Sequence, residues 1–226
     1  MSRTRIAGAA LVVLSLPAVF AQAPRMKLGE VIRLTPSPAA EGGSAREYVF
    51  QADRGSRKGQ HLHVWTGSAA DARTSAPALA PPATEYQRLG SSAATPLPEI
   101  DVLGIHYLKV RPDRREAFEK FVASALHPTV GRLRDDLQLL YYKAMRGPDA
   151  GSYITIFALT RESRDKYWPG GTDSDALRAA FAPVKTHTKE LLTYLVEGAA
   201  LTDEKFAAAV YESRDWSDFV LVSTPK

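Results

Sequence analysis

The 226-residue sequence contains no cysteine and no asparagine. Without cysteine it has no disulfides, no thiol catalysis, no cysteine metal ligands and no lipid-modified cysteine anchor. Without asparagine it has no site for Asn-linked glycosylation. This lack, together with richness in alanine and arginine, is typical of a bacterial sequence from a genome of high GC content. The fold must be held by its apolar core, and a hydrophobic content of 45% is sufficient to form one.

The sequence also lacks the patterns of nucleic-acid and nucleotide binding. Its formal net charge is only +4, and no basic run is interleaved with aromatic residues. A phosphate-cradling glycine loop and a nucleophile elbow are missing as well. We therefore expect no nucleic-acid partner and predict no cofactor.

The first 21 residues have the features of a secretory signal peptide. Arg3 and Arg5 precede an apolar run from Ile6 to Phe20, and a small residue, Ala21, follows it as a cleavage site. A retained membrane anchor is the alternative, but a spanning helix needs about 20 apolar residues. We predict cleavage after Ala21, no membrane attachment afterwards, and a periplasmic or secreted location.

The part of the chain that follows the signal is predicted to be a small β-rich module, residues 22–66. It contains a possible strand at 31–34 and two alternating segments, 47–52 and 60–65, around a glycine-rich turn. Residues 67–98 are rich in alanine, serine and proline, which is typical of a linker.

Residues 99–226 alternate between strand and helix patterns in the order β-α-β-β-α-β. The first strand, 100–110, carries apolar groups on both faces, and so does the second member of a hairpin formed by 137–145 and 152–159. Helices can cover one face of such a sheet. Because the other face is equally apolar, we expect a second subunit to cover it, which predicts a homodimer.

Helix boundaries in this region have recognisable signals. Asp113 with Glu116 fits a capping box at the start of the first helix, and Pro128 predicts a kink or break near His127. Thr172, Asp173 or Ser174 can cap the next helix. Further helical segments are predicted at 186–197 and 203–211, before a last strand at 218–222.

The stretch YLKVRPDRREAFEKF at 107–121 and the hairpin YYKAMRGPDAGSYITIF at 141–157 resemble the dimeric α/β-barrel superfamily of antibiotic-biosynthesis-monooxygenase type. The resemblance implies an α+β, ferredoxin-like domain that pairs through its sheet with a second subunit, with ligand cavities between sheet and helices. That superfamily contains cofactor-free oxygenases, haem-degrading enzymes, isomerases and members of no known activity. The haem-degrading branch uses an Asn, Trp and His set, from which a chain without asparagine departs.

Candidate catalytic and ligand-binding residues lie on the predicted strands. His106, in the middle of a strand, could act as a base, and a tyrosine such as Tyr142 could share that role. The alternative is that His106 is a buried histidine satisfied by a neighbour. An aromatic ligand pocket could be lined by Tyr107, Tyr141, Tyr153 and Phe157, although aromatic residues in strands more often form core.

His61 and His63 are two residues apart on a predicted strand, so both imidazoles point the same way, as two ligands of one metal would. A metal site would need a third ligand, from His106, His127, His187 or a carboxylate. The alternative is a pair of surface or packed histidines.

A group near the C-terminus, Glu212, Asp215, Trp216 and Asp218, could supply functional acids, but a solvated rim is the interpretation that we favour. Whether the protein is an enzyme stays open at this point. We expect a binding protein for a small apolar or aromatic ligand or a partner, with a cofactor-independent monooxygenase or isomerase as the alternative.

Overall fold

The computed structural model describes residues 24–38, 46–74, 82–90, 99–130, 133–196 and 215–225. The predicted signal peptide, the predicted helix at 203–211 and Glu212 lie outside these residues. In the part of the chain described, no helix is long and apolar enough to cross a membrane.

Eight antiparallel strands form a closed barrel. Their bounds are β2 Val31–Ser37, β3 Tyr48–Gly55, β4 His61–Gly67, β5 Thr84–Arg88, β7 Val102–Leu108, β8 Gln138–Arg146, β9 Tyr153–Leu159 and β10 Trp216–Ser223. Two further short strands, β1 Met26–Lys27 and β6 Glu99–Ile100, pair with each other. Around the barrel the order is β10-β3-β4-β2-β5-β8-β9-β7, and β7 pairs back with β10.

Short helices connect these strands. They are α1 Ala69–Thr74, α2 Arg115–Phe121, α3 His127–Val130, α4 Arg161–Tyr167, α5 Asp175–Phe181 and α6 Thr188–Tyr194. A π-helical turn, Val122–Leu126, joins α2 to α3, and 3-10 turns lie at Pro112–Arg114, Pro169–Gly171 and Ala182–His187. All but α1 belong to the second half of the chain.

The two halves of the chain contribute four strands each in the same spatial order. If the strands of each half are counted from first to fourth, the order across each sheet is second, third, first, fourth. The fourth strand of each half pairs with the second strand of the other, β5 with β8 and β10 with β3. The barrel therefore has a two-fold arrangement of strands within one chain.

The apolar core has two parts, one on each face of the C-terminal sheet. Leu103 and Ile105 of β7 point into the barrel, where they pack against side chains from strands of both halves. Val102 and Leu108 point outward and pack against the helices. The two-sided apolar pattern predicted from the sequence is thus confirmed.

For the inner face of the sheet, which we expected a second subunit to cover, the structure shows a cover from the same chain. Strands β2–β5 of the same chain close the barrel over that face, so the two-sided pattern no longer calls for a partner.

The division into a small module, a linker and a separate domain also has no counterpart in the strand pairing. The stretch interpreted as a linker contains α1 and β5, and β5 pairs with strands on both sides. It was missed because its five residues carry one large apolar side chain, Tyr86.

The predicted strand pairs are present: β3 pairs with β4 around the glycine-rich turn, and β8 pairs with β9. The capping box at Asp113 does not form, because the Asp113 carboxylate accepts hydrogen bonds from the Arg111 guanidinium instead. Pro128 does not end the helix, since the chain passes through the π-helical turn and continues into α3. Ser174 caps α5 as predicted, its Oγ accepting from the Leu177 amide at 3.1 Å.

Candidate functional site

A cavity of about 100 Å³ lies between the outer face of β7, β9 and β10 and the turn that follows α4. His106, Phe157 and Trp216 reach it from the three strands, and Trp168 reaches it from the end of α4. The cavity therefore sits between the sheet and the helical layer.

Four rings form its walls. The imidazole of His106 lies edge-on to Phe157 at 5.4 Å between ring centroids and is stacked on Trp216 at 6.2 Å. Trp168 meets Phe157 edge to face at 5.3 Å. His106 is only 6% exposed. Such a set of rings favours a planar or cationic occupant over an extended aliphatic one.

Gly104 packs closely between two residues of the cavity wall. It lies two residues before His106 on the same face of β7, between Asp218 of β10 and Phe157 of β9. A Cβ atom at this position would stand 3.2 Å from both Asp218 Oδ1 and Phe157 Cβ. A side chain there would therefore crowd both residues.

A bulge in β3 brings a cation to the rim of the cavity. Ala52 pairs with Phe219 and Arg54 pairs with Asp218, so Asp53 is an extra residue between the two pairs. Without this extra residue, the alternation of side chains along β3 would place Arg54 on the barrel-facing side with Ala52. Arg54 instead shares the outer face with Asp218 and lies 3.8 Å from the Asp165 carboxylate of α4.

Asp218 is the acid on the cavity wall. Burial raises the pKa of its carboxyl to about 6, while Arg164 and Arg54 act to lower it and Asp53 to raise it. None of the residues in the described ranges donates a hydrogen bond to this carboxyl. A second carboxylate, Asp173, lines the outer part of the cavity.

The structure brings together two of the residues proposed from the sequence, His106 and Phe157. Tyr142 does not join them, because it points into the barrel, where its hydroxyl donates to the Gly29 carbonyl at 3.0 Å. Tyr107 packs against the barrel core with the Arg57 guanidinium 3.9 Å above its ring.

The other two tyrosines lie in the outer core beneath α2. The hydroxyl of Tyr153 donates to Glu119 at 2.6 Å, and Tyr141 is buried beside Phe118. Burial raises the pKa of both phenols above the ordinary value, which suits core groups rather than bases. The residues of the predicted pocket therefore lie on both sides of the sheet, since neighbouring strand residues such as Tyr141 and Tyr142 face opposite sides.

His61 and His63 lie side by side on β4, as predicted, on the face turned away from the barrel core. Glu47 Oε2 is 3.9 Å from His63 Nδ1. Within the described ranges, no group of three or more His, Cys, Asp or Glu side chains is placed to hold a metal ion. The other two candidate ligands lie in the helical layer, where Nε2 of His187 meets Thr129 Oγ1 at 3.3 Å and His127 begins α3.

Sequence reasoning missed Gly104, Arg54 and Trp168 as parts of the site, and it placed Asp218 on a solvated rim. Asp218 is instead partly buried on the cavity wall. The available signal was alternation in the last strand, which puts Trp216 and Asp218 on one face opposite the buried Phe219.

No protein-family model and no curated protein matches this chain. Among solved structures it is similar to a major regulator of staphylococcal pathogenesis, with 10% identity over 87% of this chain and 99% of that chain and a TM-score of 0.40. It is similar to LmHde, a heme-degrading enzyme from Listeria monocytogenes, with 12% identity over 84% and 98% and a TM-score of 0.39. It is also similar to an anthrone oxidase-like protein, with 12% identity over 88% and 95% and a TM-score of 0.40.

At these identities and TM-scores the likeness is a modest one of fold, and it assigns no activity to this chain.

Proposed function

We propose that the protein is a small-molecule-binding protein of dimeric α/β-barrel type, whose ferredoxin-like C-terminal half holds a planar ligand in the cavity lined by His106. The observation that carries this proposal is the cavity itself, walled by the rings of His106, Phe157, Trp168 and Trp216. Ligand sites are typically apolar clefts with a few polar groups that fix orientation. Here Asp218 and Arg54 are those polar groups.

Tryptophan fluorescence can test the proposal. The chain has three tryptophans, and only Trp65 lies away from the cavity. In a Trp65→Phe variant the remaining emission comes from Trp168 and Trp216, so a small aromatic compound that binds in the cavity should quench or shift it. Native mass spectrometry of the protein as purified should show whether a ligand accompanies it.

A matched variant separates the cavity from the rest of the surface. Gly104→Leu should displace the Asp218 and Phe157 side chains that line the cavity and remove the fluorescence response, whereas Ala70→Leu, at an exposed position of α1, should keep it. An equal response in both variants would show that the compound binds elsewhere, and the proposal would then fail.

A second candidate function is proton transfer, as in a cofactor-independent oxygenase or isomerase. Asp218 favours it, because a carboxyl with a pKa near 6 can exchange protons near neutral pH. His106 belongs to the register pair two positions away, on the same face of the sheet. The test is exchange of an acidic C–H of a bound 1,3-dicarbonyl compound in D2O, followed by NMR. We expect exchange to slow in Asp218→Asn and His106→Gln, and an unchanged rate in both would exclude this function.

We further propose that the chain is exported and cleaved after Ala21. The support is the sequence alone: Arg3, Arg5 and the apolar run from Ile6 to Phe20. The mass of the chain recovered from the periplasm of a bacterial host tests this, since a retained N-terminus would contradict it.

Light scattering on the mature chain tests the homodimer that the resemblance implies. A barrel closed within one chain offers no free edge among its eight strands, so a dimer would have to use another surface.

A further inference from the structure

The two halves of the barrel place one row of outward-facing residues at equivalent positions. Across the N-terminal half the row runs from β8 through β5 and β2 to β4, as Arg146, Glu85, Arg33 and Trp65. Across the C-terminal half it runs from β3 through β10 and β7 to β9, as Arg54, Asp218, Gly104 and Phe157. The bulges correspond as well. One extra residue precedes the arginine in the first strand of each row, Met145 in β8 and Asp53 in β3. Three of the four positions keep their chemical character: an arginine, an acid and an aromatic ring.

In the N-terminal half an arginine side chain occupies the third position of this row. The Arg33 guanidinium lies 4.6 Å above the centre of the Trp65 ring and donates from Nε to Glu85 Oε2 at 2.9 Å. Its Nη2 donates to the Ala72 carbonyl of α1 at 3.0 Å. A planar cation thus lies between an aromatic face and a buried carboxylate, held by the helix above.

In the C-terminal half the residue that corresponds to Arg33 is Gly104, and its neighbours Asp218, Phe157 and His106 line the cavity. The acid and the ring are still present, as Asp218 and Phe157. Trp168 and Trp216 add two more aromatic walls. Arg54 does not replace the missing cation, because it makes its ion pair with Asp165 rather than with Asp218.

We infer that the cavity binds a small organic cation with planar N–H donors, a guanidinium or amidinium group, in the place that the Arg33 head group holds in the other half. The inference rests on the proposed ligand-binding function and names the chemical class of the ligand. The cation donates to the Asp218 carboxylate and lies against the rings, where hydrogen bonds to a charged group and cation–π contact both favour it. A neutral aromatic ligand would leave the carboxylate without a donor.

The charges around Asp218 agree with a cationic ligand. Two ion pairs lie beside the cavity, Arg164 with Asp53 at 2.7 Å and Arg54 with Asp165 at 3.8 Å. Within each pair the two charges cancel. The remaining charged or titratable groups that line the cavity are Asp218 of β10, Asp173 of the turn after α4 and His106 of β7. With a neutral imidazole, the cavity carries two carboxylates that those pairs do not neutralise.

The experiment compares three probes of one shape: benzamidinium, its neutral isostere benzamide, and the anion benzoate. Binding to the mature chain carrying Trp65→Phe is followed by tryptophan fluorescence and calorimetry at pH 8, where the Asp218 carboxyl is ionised. We expect benzamidinium to bind about tenfold or more tightly than benzamide and benzoate not to bind. Asp218→Asn should reduce that preference to about twofold or less, whereas Asp135→Asn, at an exposed acid away from the cavity, should leave it intact.

The outcomes separate the two proposals. If benzamide and benzamidinium bind equally, the ligand-binding function stands and the cation inference fails. If no probe binds, and guanidinium and methylguanidinium at millimolar concentration give no response either, both fail. A preference for benzamidinium that survives Asp218→Asn would also overturn the inference, since the carboxylate would not be its cause.

A second variant makes the chain supply its own cation. Gly104→Arg introduces the residue that the N-terminal half has at this position, and we expect it to abolish benzamidinium binding. Gly104→Leu should abolish binding too. Both variants crowd Asp218 and Phe157 equally at the Cβ, but only the arginine gives the Asp218 carboxylate a partner, so Gly104→Arg should melt at the higher temperature of the two. Equal stability of the two variants at pH 8 would count against a cation site.

Discussion

Glu85 and Asp218 occupy equivalent positions on the fourth strands of the two halves of the barrel, and they differ in what faces them. Glu85 accepts from Arg146 at 2.6 and 3.0 Å and from Arg33 at 2.9 Å. Asp218 faces Gly104 and a cavity. One half of the fold therefore uses this position for stability, and the other half leaves it open for a ligand.

Replacement of Glu85 by glutamine should destabilise the protein. Burial alone would raise the pKa of Glu85, but hydrogen bonds from Arg146 and Arg33 lower it. The two arginines therefore pair with the ionised carboxylate. An uncharged amide leaves the largely buried Arg33 and the half-exposed Arg146 without their counter-charge, which costs about 2–4 kcal/mol. Urea unfolding at pH 7 measures this, with a lower midpoint and an unchanged slope.

The exposed acid Asp113, paired with Arg111 on the surface, provides the control. Asp113→Asn should change the free energy of unfolding by about 0.5 kcal/mol or less. Because the pKa of Glu85 is lowered on folding, its contribution is present above an ordinary carboxyl pKa and is lost as the pH falls through the folded value. The difference between the parent protein and Glu85→Gln should shrink in acid, and a constant difference would contradict the assignment.

Asp218 should have the opposite pH dependence. Its folded pKa of about 6 lies above the ordinary 3.8, so the folded protein binds more protons between these values and loses stability as the pH rises through this window. Asp218→Asn should therefore be more stable than the parent protein at pH 8, by on the order of 1–3 kcal/mol, and about equally stable near pH 4. Urea unfolding at the two pH values measures the change. A variant less stable than the parent at pH 8 would mean that the ionised carboxyl is needed by the fold.

Tyr142→Phe tests where the site lies. The hydroxyl of Tyr142 donates to the Gly29 carbonyl inside the barrel, so its removal should cost about 1 kcal/mol of stability and leave ligand binding in the cavity unchanged. His106→Phe keeps a ring on the cavity wall but removes its polar nitrogens, and it should alter probe affinity. Loss of binding in Tyr142→Phe alone would place the site inside the barrel.

Several parts of this fold could be predicted from the sequence because they depend on local patterns. The period-two alternation of 100–110 gave the two faces of β7 correctly, and the hairpin of β8 and β9 followed from its turn residues. The same alternation places His106 on one face with Val102 and Leu108, but it does not indicate which face points outward. These features need no knowledge of the rest of the chain.

The remainder depends on contacts between distant segments. Strand β5 has little apolar content of its own and is held by β2 and β8, which are far from it in sequence. The orientation of Arg54 depends on a bulge whose only sign is the pairing of β3 with β10. The cavity is formed by side chains from β3, β7, β9 and β10 and from the turn after α4, and no local pattern brings these segments together.

The predicted cap of α5 provides a test of a local feature that also positions the site. Ser174 Oγ accepts from the Leu177 amide, and the segment between α4 and α5 carries Asp173 on the cavity rim. Ser174→Ala should cost about 1 kcal/mol of stability, because it leaves a first-turn amide without an acceptor. Ser174→Asp restores an acceptor at this helix N-terminus and should recover most of that loss. Urea unfolding gives both values, and equal destabilisation by Ala and Asp would show that the hydroxyl has a role other than capping.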